Sequence, residues 1–412
     1  MPKSSRRSYI KHTLFAAVVI CGFFLNLQDS RGLFYSASYG RGISQLLRGP
    51  GDDEDDDYRG DDLHAPDSSD DDEEEEVDHP ELVAPRSHDG PYDEYIPGEE
   101  YLIYSPSGGF SNQRMELEYA VEIAKLLNRT VYVPMCGRHS NGWMAYNLLK
   151  EGTDLFPMDR VLDFPFITEY DHRSRLVPLN TSVYKFVSRF EKQYGSQSVL
   201  KINGLSNYYG RDQIIRWRKY RHPLMFFRGP GFFHQWFSSS QMLGVRKRIR
   251  FTKYLRDLAV KVANAALGDQ FYAMHIRMGD YAYRRTGDGG RYLSRAYNLK
   301  WKIGTLKTYI ATEPQRDEKF FEPLNKGLKA VYSQDIPKDL VQDFKNAFPR
   351  GKFRSDMIGL LEQLICVQAK SFIGTYFSTF SAYIMFMREN KAQLFPELVN
   401  LDTSEDGNEG ET

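Results

Sequence analysis

The sequence predicts an α/β protein built from two βα modules, and three observations carry that prediction. Short apolar runs alternate with amphipathic helical stretches from Tyr101 onward. The same alternation returns after residue 260. Apolar residues make up 41% and aromatic residues 14% of the 412, a globular composition with enough chain for two domains of ordinary size.

Taken in order, Tyr101 to Ser105 reads as a strand, and the glycine-containing turn Ser107 to Phe110 leads into a helix over Ser111 to Leu127. Leu117, Ala120, Val121 and Ala124 give that helix its apolar face. Thr130 to Pro134 is the next strand. From about Tyr146 to Leu255 the chain is aromatic and Arg-rich with weak periodicity. The second module brings strands Phe271 to Ile276, Thr308 to Ala311 and Ala330 to Tyr332, a helix near Met357 to Ala369, and strand Ser371 to Ile373. The chain divides accordingly into a tail and apolar anchor (1–27), an acidic stem (28–97), a first Rossmann-like domain (98–255), a second (256–398) and an acidic tail (399–412).

The N-terminus is a targeting signal. Lys3, Arg6, Arg7 and Lys11 precede the apolar run Leu14 to Leu25. This run is short against the roughly 20 residues that span a bilayer, and Tyr9 and Ile10 extend it. A cleaved signal peptide has the same outline. Because no small-x-small cleavage site follows and the basic residues all precede the run, an uncleaved anchor with a cytoplasmic N-terminus is the favoured reading. The body then lies in the lumen of the Golgi or endoplasmic reticulum, as a single-pass type II membrane protein.

The overall charge of −1 hides a segregation. Between residues 52 and 81, eighteen Asp and Glu face Arg59 alone, while residues 82–412 carry a net charge of +10. The acidic stretch lacks the glycine-turned loop that organises a calcium site, so it reads as a solvated spacer. A basic body is compatible with a nucleic acid or with a nucleotide diphosphate in a cleft, and the lumenal signal argues against the former. Three cysteines, one of them Cys21 in the apolar run, form no disulfide framework and no zinc pattern. Cys136 and Cys366 read as buried thiols, the only two able to pair. The sequons Asn128-Arg129-Thr130 and Asn180-Thr181-Ser182 permit N-glycosylation in a lumen.

Three segments carry chemistry. In Gly108-Gly109-Phe110-Ser111-Asn112-Gln113-Arg114, glycines allow close ligand approach, the helix start offers N–H groups, and three hydrogen-bonding side chains exceed what a connection needs. A plain glycine turn before a helix is the bland reading. In His275-Ile276-Arg277-Met278-Gly279-Asp280, the two-residue strand period delivers His275 and Arg277 to one face at a carboxyl end, where α/β sheets bind ligands. Arg277 suits a phosphate, and an Arg277–Asp280 salt bridge is the structural alternative. Gly374-Thr375-Tyr376-Phe377-Ser378-Thr379-Phe380-Ser381 is again strand, turn and helix. Its hydroxyls suit a second phosphate, or else cap the helix.

In this order, these segments resemble the GDP-fucose protein O-fucosyltransferase superfamily over about Tyr101 to Pro134 and Phe271 to Glu389. Tyr309 to Glu313 with Phe320 to Leu324, and Glu362-Gln363-Leu364-Ile365-Cys366, are similar to further family blocks. The resemblance implies a GT-B fold, with two Rossmann-like domains facing a donor cleft. It implies inverting transfer of fucose from GDP-fucose to a Ser or Thr hydroxyl, with no cofactor and no metal. Arg277 and His275 would then hold the diphosphate, with Ser378, Thr379 and Phe380 around the β-phosphate. Gly108, Gly109 and Phe110 would line the donor site, Glu362 would accept from guanine, and Asn112 and Arg114 would face the fucose and acceptor. In one branch a catalytic glutamate precedes the glycine loop, and Gly108 stands at that place here, so no general base is named. A glycan acceptor, or a catalytically weak GDP-sugar-binding lumenal protein, are the competing readings.

Overall fold

The structure, a computed structural model, describes residues 95–96, 98–106, 108–137, 155–165, 175–203, 211–228, 239–278, 289–313, 317–348, 357–375 and 378–396. The expected anchor, residues 28–94 of the stem and the acidic tail lie outside these residues, as do Ser107, Gly279, Asp280, Tyr376 and Phe377 of the motifs.

The first module contains β1 (Tyr101–Tyr104), α1 (Phe110–Leu127), β2 (Thr130–Val133), β3 (Leu176–Pro178), α2 (Val183–Tyr194), β4 (Val199–Asn203), α3 (Arg211–Arg216), β5 (Leu224–Arg228) and α4 (Ser239–Arg246). Its five strands run in the order β3-β2-β1-β5-β4, every pair parallel. Strand β1 shows why. All four of its residues are buried: Tyr101 and Ile103 pack with Phe186 and Phe190 of α2, while Leu102 and Tyr104 share a core with Leu117, Ala120 and Ala124 of α1. A strand apolar on both faces needs helices on both faces, the condition of a parallel sheet. Helix α1 closes on Asn128 at φ +56, the left-handed cap that Asn tolerates.

The second module contains α5 (Lys253–Ala266), β6 (Tyr272–Ile276), α6 (Gly290–Asn298), β7 (Lys307–Thr312), α7 (Glu318–Gly327), β8 (Lys329–Val331), α8 (Lys338–Asn346), α9 (Ile358–Gln368), β9 (Ser371–Ile373), α10 (Thr379–Glu389) and α11 (Lys391–Leu394). Its sheet is parallel in the order β8-β7-β6-β9. Helix α5 packs on α8 and α9, whereas α4 packs on α1. The middle segment, expected to be weakly periodic, supplies β3, β4, β5 and an amphipathic α2.

Helix α10 packs on both α9 and α1, and one continuous apolar core joins Leu102 and Leu117 to Leu364 and Ile384. The carboxyl ends of β6 and β9 therefore come close to the start of α1.

Candidate active site

Tyr272, Met274 and Ile276 of β6 pack on one face with Ile310 and Phe321, so the strand period turns Ala273 and His275 to the other. There the His275 ring stacks on Phe380 at 4.3 Å, and Ser381 Oγ lies 2.7 Å from Nδ1. Burial, with help from the charge of Arg277, depresses the imidazole to about 3, so it is neutral at ordinary pH. Ser381 Oγ accepts the Thr375 N–H at 3.0 Å and also hydrogen-bonds the ring at Nδ1, which ties the imidazole to the turn after β9. His275 is thus a neutral ring held at Nδ1.

Thr375 laces the two strand ends together. Its hydroxyl donates to the His275 carbonyl at 2.8 Å and accepts the Arg277 N–H at 3.0 Å, with the Tyr292 hydroxyl also 3.0 Å away. The turn closes this tightly because residue 374 is glycine: a Cβ there would stand 2.8 Å from both Cβ and Oγ of Ser381. Arg277 follows β6 at its carboxyl end and is partly exposed. Next to it, the Met278 N–H donates to Glu313 Oε2 at 2.6 Å. Ser378 occupies the N-cap of α10 without capping it, and its Oγ is buried with no partner among the described residues. An unsatisfied buried hydroxyl costs roughly 1–3 kcal/mol, so Ser378 Oγ has hydrogen-bonding capacity to offer at the start of α10.

From the other module, Gly108 adopts φ +69, and a Cβ on it would lie 2.5 Å from Asn112 Nδ2. Gly109 caps α1, its carbonyl accepting the Asn112 and Gln113 N–H groups. Gln113 fastens the turn: Nε2 donates to the Gly108 and Gly137 carbonyls at 2.9 Å each, and Oε1 accepts the Gly137 N–H at 3.0 Å. The Phe110 ring leans on Phe251 at 5.8 Å. Side-chain bonds near the glycine turn cross between the modules. Thr379 Oγ1 donates to Asn112 Oδ1 at 3.1 Å, and Gln363 Nε2 donates to Ser111 Oγ at 2.9 Å. The structure therefore brings Gly108, Gly109, Phe110, Asn112, Ser378, Thr379, Phe380, His275 and Arg277 to one junction.

Two residues sit elsewhere than expected. Arg114 does not face a sugar: it is fully buried, donating to the Ile249 carbonyl at 2.6 Å and lying 4.6 Å over the Tyr383 ring. The period of α1 puts it one turn before Glu118, which pairs with it at 3.5 Å and with Arg246 at 2.8 Å. Arg114 is a strut between α1, α4 and α10. Glu362 likewise lies inside, taking the Tyr309 hydroxyl at 3.1 Å. Desolvation pushes its carboxyl up to about 8, so at neutral pH it is mostly a protonated interior acid. Tyr292, which anchors Thr375, was not legible because it belongs to no motif.

Asn128 and Asn180 are exposed, and Ser182 of the second sequon caps α2 by accepting the Lys185 N–H. Cys136 and Cys366 are buried thiols. Among the described residues no three His, Cys, Asp or Glu are grouped to hold a metal ion, and no helix is long and apolar enough to cross a membrane.

The sequence profile described as GDP-fucose protein O-fucosyltransferase matches residues 101–391. The chain belongs to this family. It is accordingly a fucosyltransferase-family protein of the O-fucosyltransferase type, built on two parallel α/β sheets. No curated protein sequence matches it. Among solved structures, POFUT1 in complex with GDP-fucose has 13% identity and a TM-score of 0.47, covering 72% of this chain and 96% of that one. NodZ alpha-1,6-fucosyltransferase soaked with GDP-fucose has 9% identity and a TM-score of 0.41, covering 70% and 92%. Fucosyltransferase NodZ from Bradyrhizobium has 10% identity and a TM-score of 0.41, covering 70% and 93%.

Proposed function

We propose that the protein transfers fucose from GDP-fucose to a Ser or Thr hydroxyl of a secretory-pathway protein, with inversion and without a metal ion. The observation that carries the reading is the Asn112–Thr379 hydrogen bond. It joins the glycine turn of one module to the hydroxyl turn of the other, beside His275 and Arg277, so that a donor there meets all three motifs. The basic residues before an apolar run, and the two exposed sequon asparagines, support a Golgi or endoplasmic reticulum membrane protein with a lumenal body.

The chemistry follows from charge. As the glycosidic bond breaks, the departing GDP gains negative charge, which the Arg277 guanidinium, the Ser378 hydroxyl and the start of α10 stabilise. Neutral His275, in the tautomer that carries its proton on Nε2, adds a donor and needs no counter-ion. Asn112, held by Thr379 and given room by the missing Cβ of Gly108, positions the fucose and the incoming hydroxyl. Gly108, where one branch carries a glutamate, supports a second reading: a weak GDP-sugar-binding protein, or an enzyme with a glycan acceptor.

The test is GDP release from GDP-fucose by the purified protein in EDTA, with folded protein modules, free oligosaccharides or no acceptor. Acceptor-dependent release with a protein module is the expected result. Release with oligosaccharide alone would replace the protein acceptor by a glycan. GDP binding without acceptor-stimulated release would leave the binding-protein reading, and activity only on restoring a divalent ion would overturn metal independence.

A further inference from the structure

The chain enters the fold at the amino edge of the first sheet, and a cluster of cations lies on that edge. The Tyr101 N–H donates to the Pro223 carbonyl, that of Thr130 to Glu100, and that of Val131 to Arg175, so residues 100, 175 and 223 are neighbours there. Arg216, Arg218, Lys219 and Arg221 lie in the short segment leading into β5, all exposed, and Arg218 reaches the Leu126 carbonyl at the end of α1. Arg221 reaches within 3.4 Å of Glu100 and keeps 80% of its side chain exposed, while Arg175 keeps 66%. Glu99 and Glu100 offset part of this charge through Arg175, Arg129 and Arg221, and Glu122 pairs with Lys125. The four cations of residues 216–221 still outnumber the carboxylates beside them.

This edge is opposite the proposed active site, which lies at the carboxyl ends of β6 and β9 and the start of α1. A basic face there has no part in holding the donor. It does have a candidate occupant on the same chain. Eighteen acidic residues between 52 and 81 end only fourteen positions before Tyr95, where the chain packs on Phe190 and Tyr194 at 5.4 and 4.9 Å. Thirteen intervening residues reach at most about 45 Å and average roughly 20 Å as a coil, so the acidic run is confined beside the edge at an effective concentration on the order of millimolar. We propose that residues 52–81 dock on the Arg216–Arg221 face of their own chain, as an intramolecular polyanion that covers it. The complementarity is one of net charge, so the contact is salt-sensitive and tolerant of sequence. The face is thereby closed to other polyanions of the lumen or membrane surface.

The experiment uses the full-length chain in detergent. Carbodiimide, which joins a carboxylate to an amine in contact with it, should link Lys219 to residues 52–81 at low salt. The link should fall at least fivefold in 1 M salt and in the variant Arg216→Ser, Arg218→Ser, Arg221→Ser. Equal linkage to Lys300 and Lys302, on the other module, would overturn the docking face, and links found only between differently isotope-labelled copies would make the occupant a second chain. Heparin retention is the independent readout. Replacing the stem carboxylates by amides should raise the salt needed for elution, and the triple Arg variant should cancel that rise. An unchanged elution would show a face already open to external polyanions and would sink the proposal.

Discussion

Thr379 donates its hydroxyl to Asn112 across 3.1 Å, a single bond between residues 267 positions apart that fixes the start of α10 against the start of α1. A neutral hydrogen bond of this kind contributes about 0.5–1.5 kcal/mol, or roughly 2- to 12-fold in a rate it governs. Thr379→Val should lower kcat/KM for GDP release within that range. Asn112→Ala should lower it further, because Asn112 is also placed at the reacting sugar. Once Asn112 is absent, adding Thr379→Val should change little. Additive losses in the double variant would show that the two side chains act separately.

Two buried groups give opposite pH slopes. His275 is held neutral in the fold, with its value lowered from 6.5 to about 3. The unfolded chain therefore takes up a proton first as pH falls below 6.5, and the fold loses about 1.4 kcal/mol between neutrality and pH 5.5. Glu362 is raised from 4.5 to about 8, so the stability of its protonated form is complete below 4.5 and is lost as pH rises through 8. Glu362→Gln should raise the melting temperature at pH 8, and the gain should vanish by pH 4.5. A gain that persists at pH 4.5 would mean that the carboxyl is ionised in the fold.

The buried cluster behind the site makes a separate prediction. Glu118 is the carboxylate between Arg114 and Arg246, both almost fully buried, and Tyr383 of α10 faces both cations. Glu118→Gln leaves two cations without their counter-charge, which costs about 3–5 kcal/mol and lowers Tm by roughly 10 °C. Arg114→Met should cost less, since Glu118 keeps Arg246. Equal Tm values for the two variants would remove Glu118 as the centre of the cluster.

These residues also show what the sequence makes legible. The strand period brought His275 and Arg277 to one side, and the alternation of apolar runs marked β1, β2, β6 and β9, because both signals are local. Val183, Phe186, Val187 and Phe190 also form a helical stripe, yet aromatic density around it masked the period, and β3 is too short to alternate. The burial of Arg114 and Glu362 was not legible for another reason. A charged residue within a motif reads as ligand-facing, whereas its helix face decides, and only the packing of α1 on α4 and of α9 on β7 shows which way each turns.

Arg277 carries the heaviest chemical demand. It follows a buried strand, beside a histidine held neutral, in a body whose described residues group no metal ligands. A charge-assisted bond contributes roughly 1.5–3 kcal/mol, and loss of one transition-state donor costs on the order of 100- to 1000-fold in turnover. Arg277→Ala should therefore nearly abolish GDP release. Arg277→Lys should recover only part, because a point charge does not reproduce the planar fork. Both variants should keep the wild-type Tm without donor, since the backbone N–H of residue 277, which holds Thr375, survives the substitution. A structural Arg277–Asp280 pair predicts the reverse: Asp280→Asn and Arg277→Ala lower Tm alike, and the folded remainder stays active. Turnover above about a tenth of wild type in folded Arg277→Ala, against the 100-fold loss expected of such a donor, would refute its place on the diphosphate.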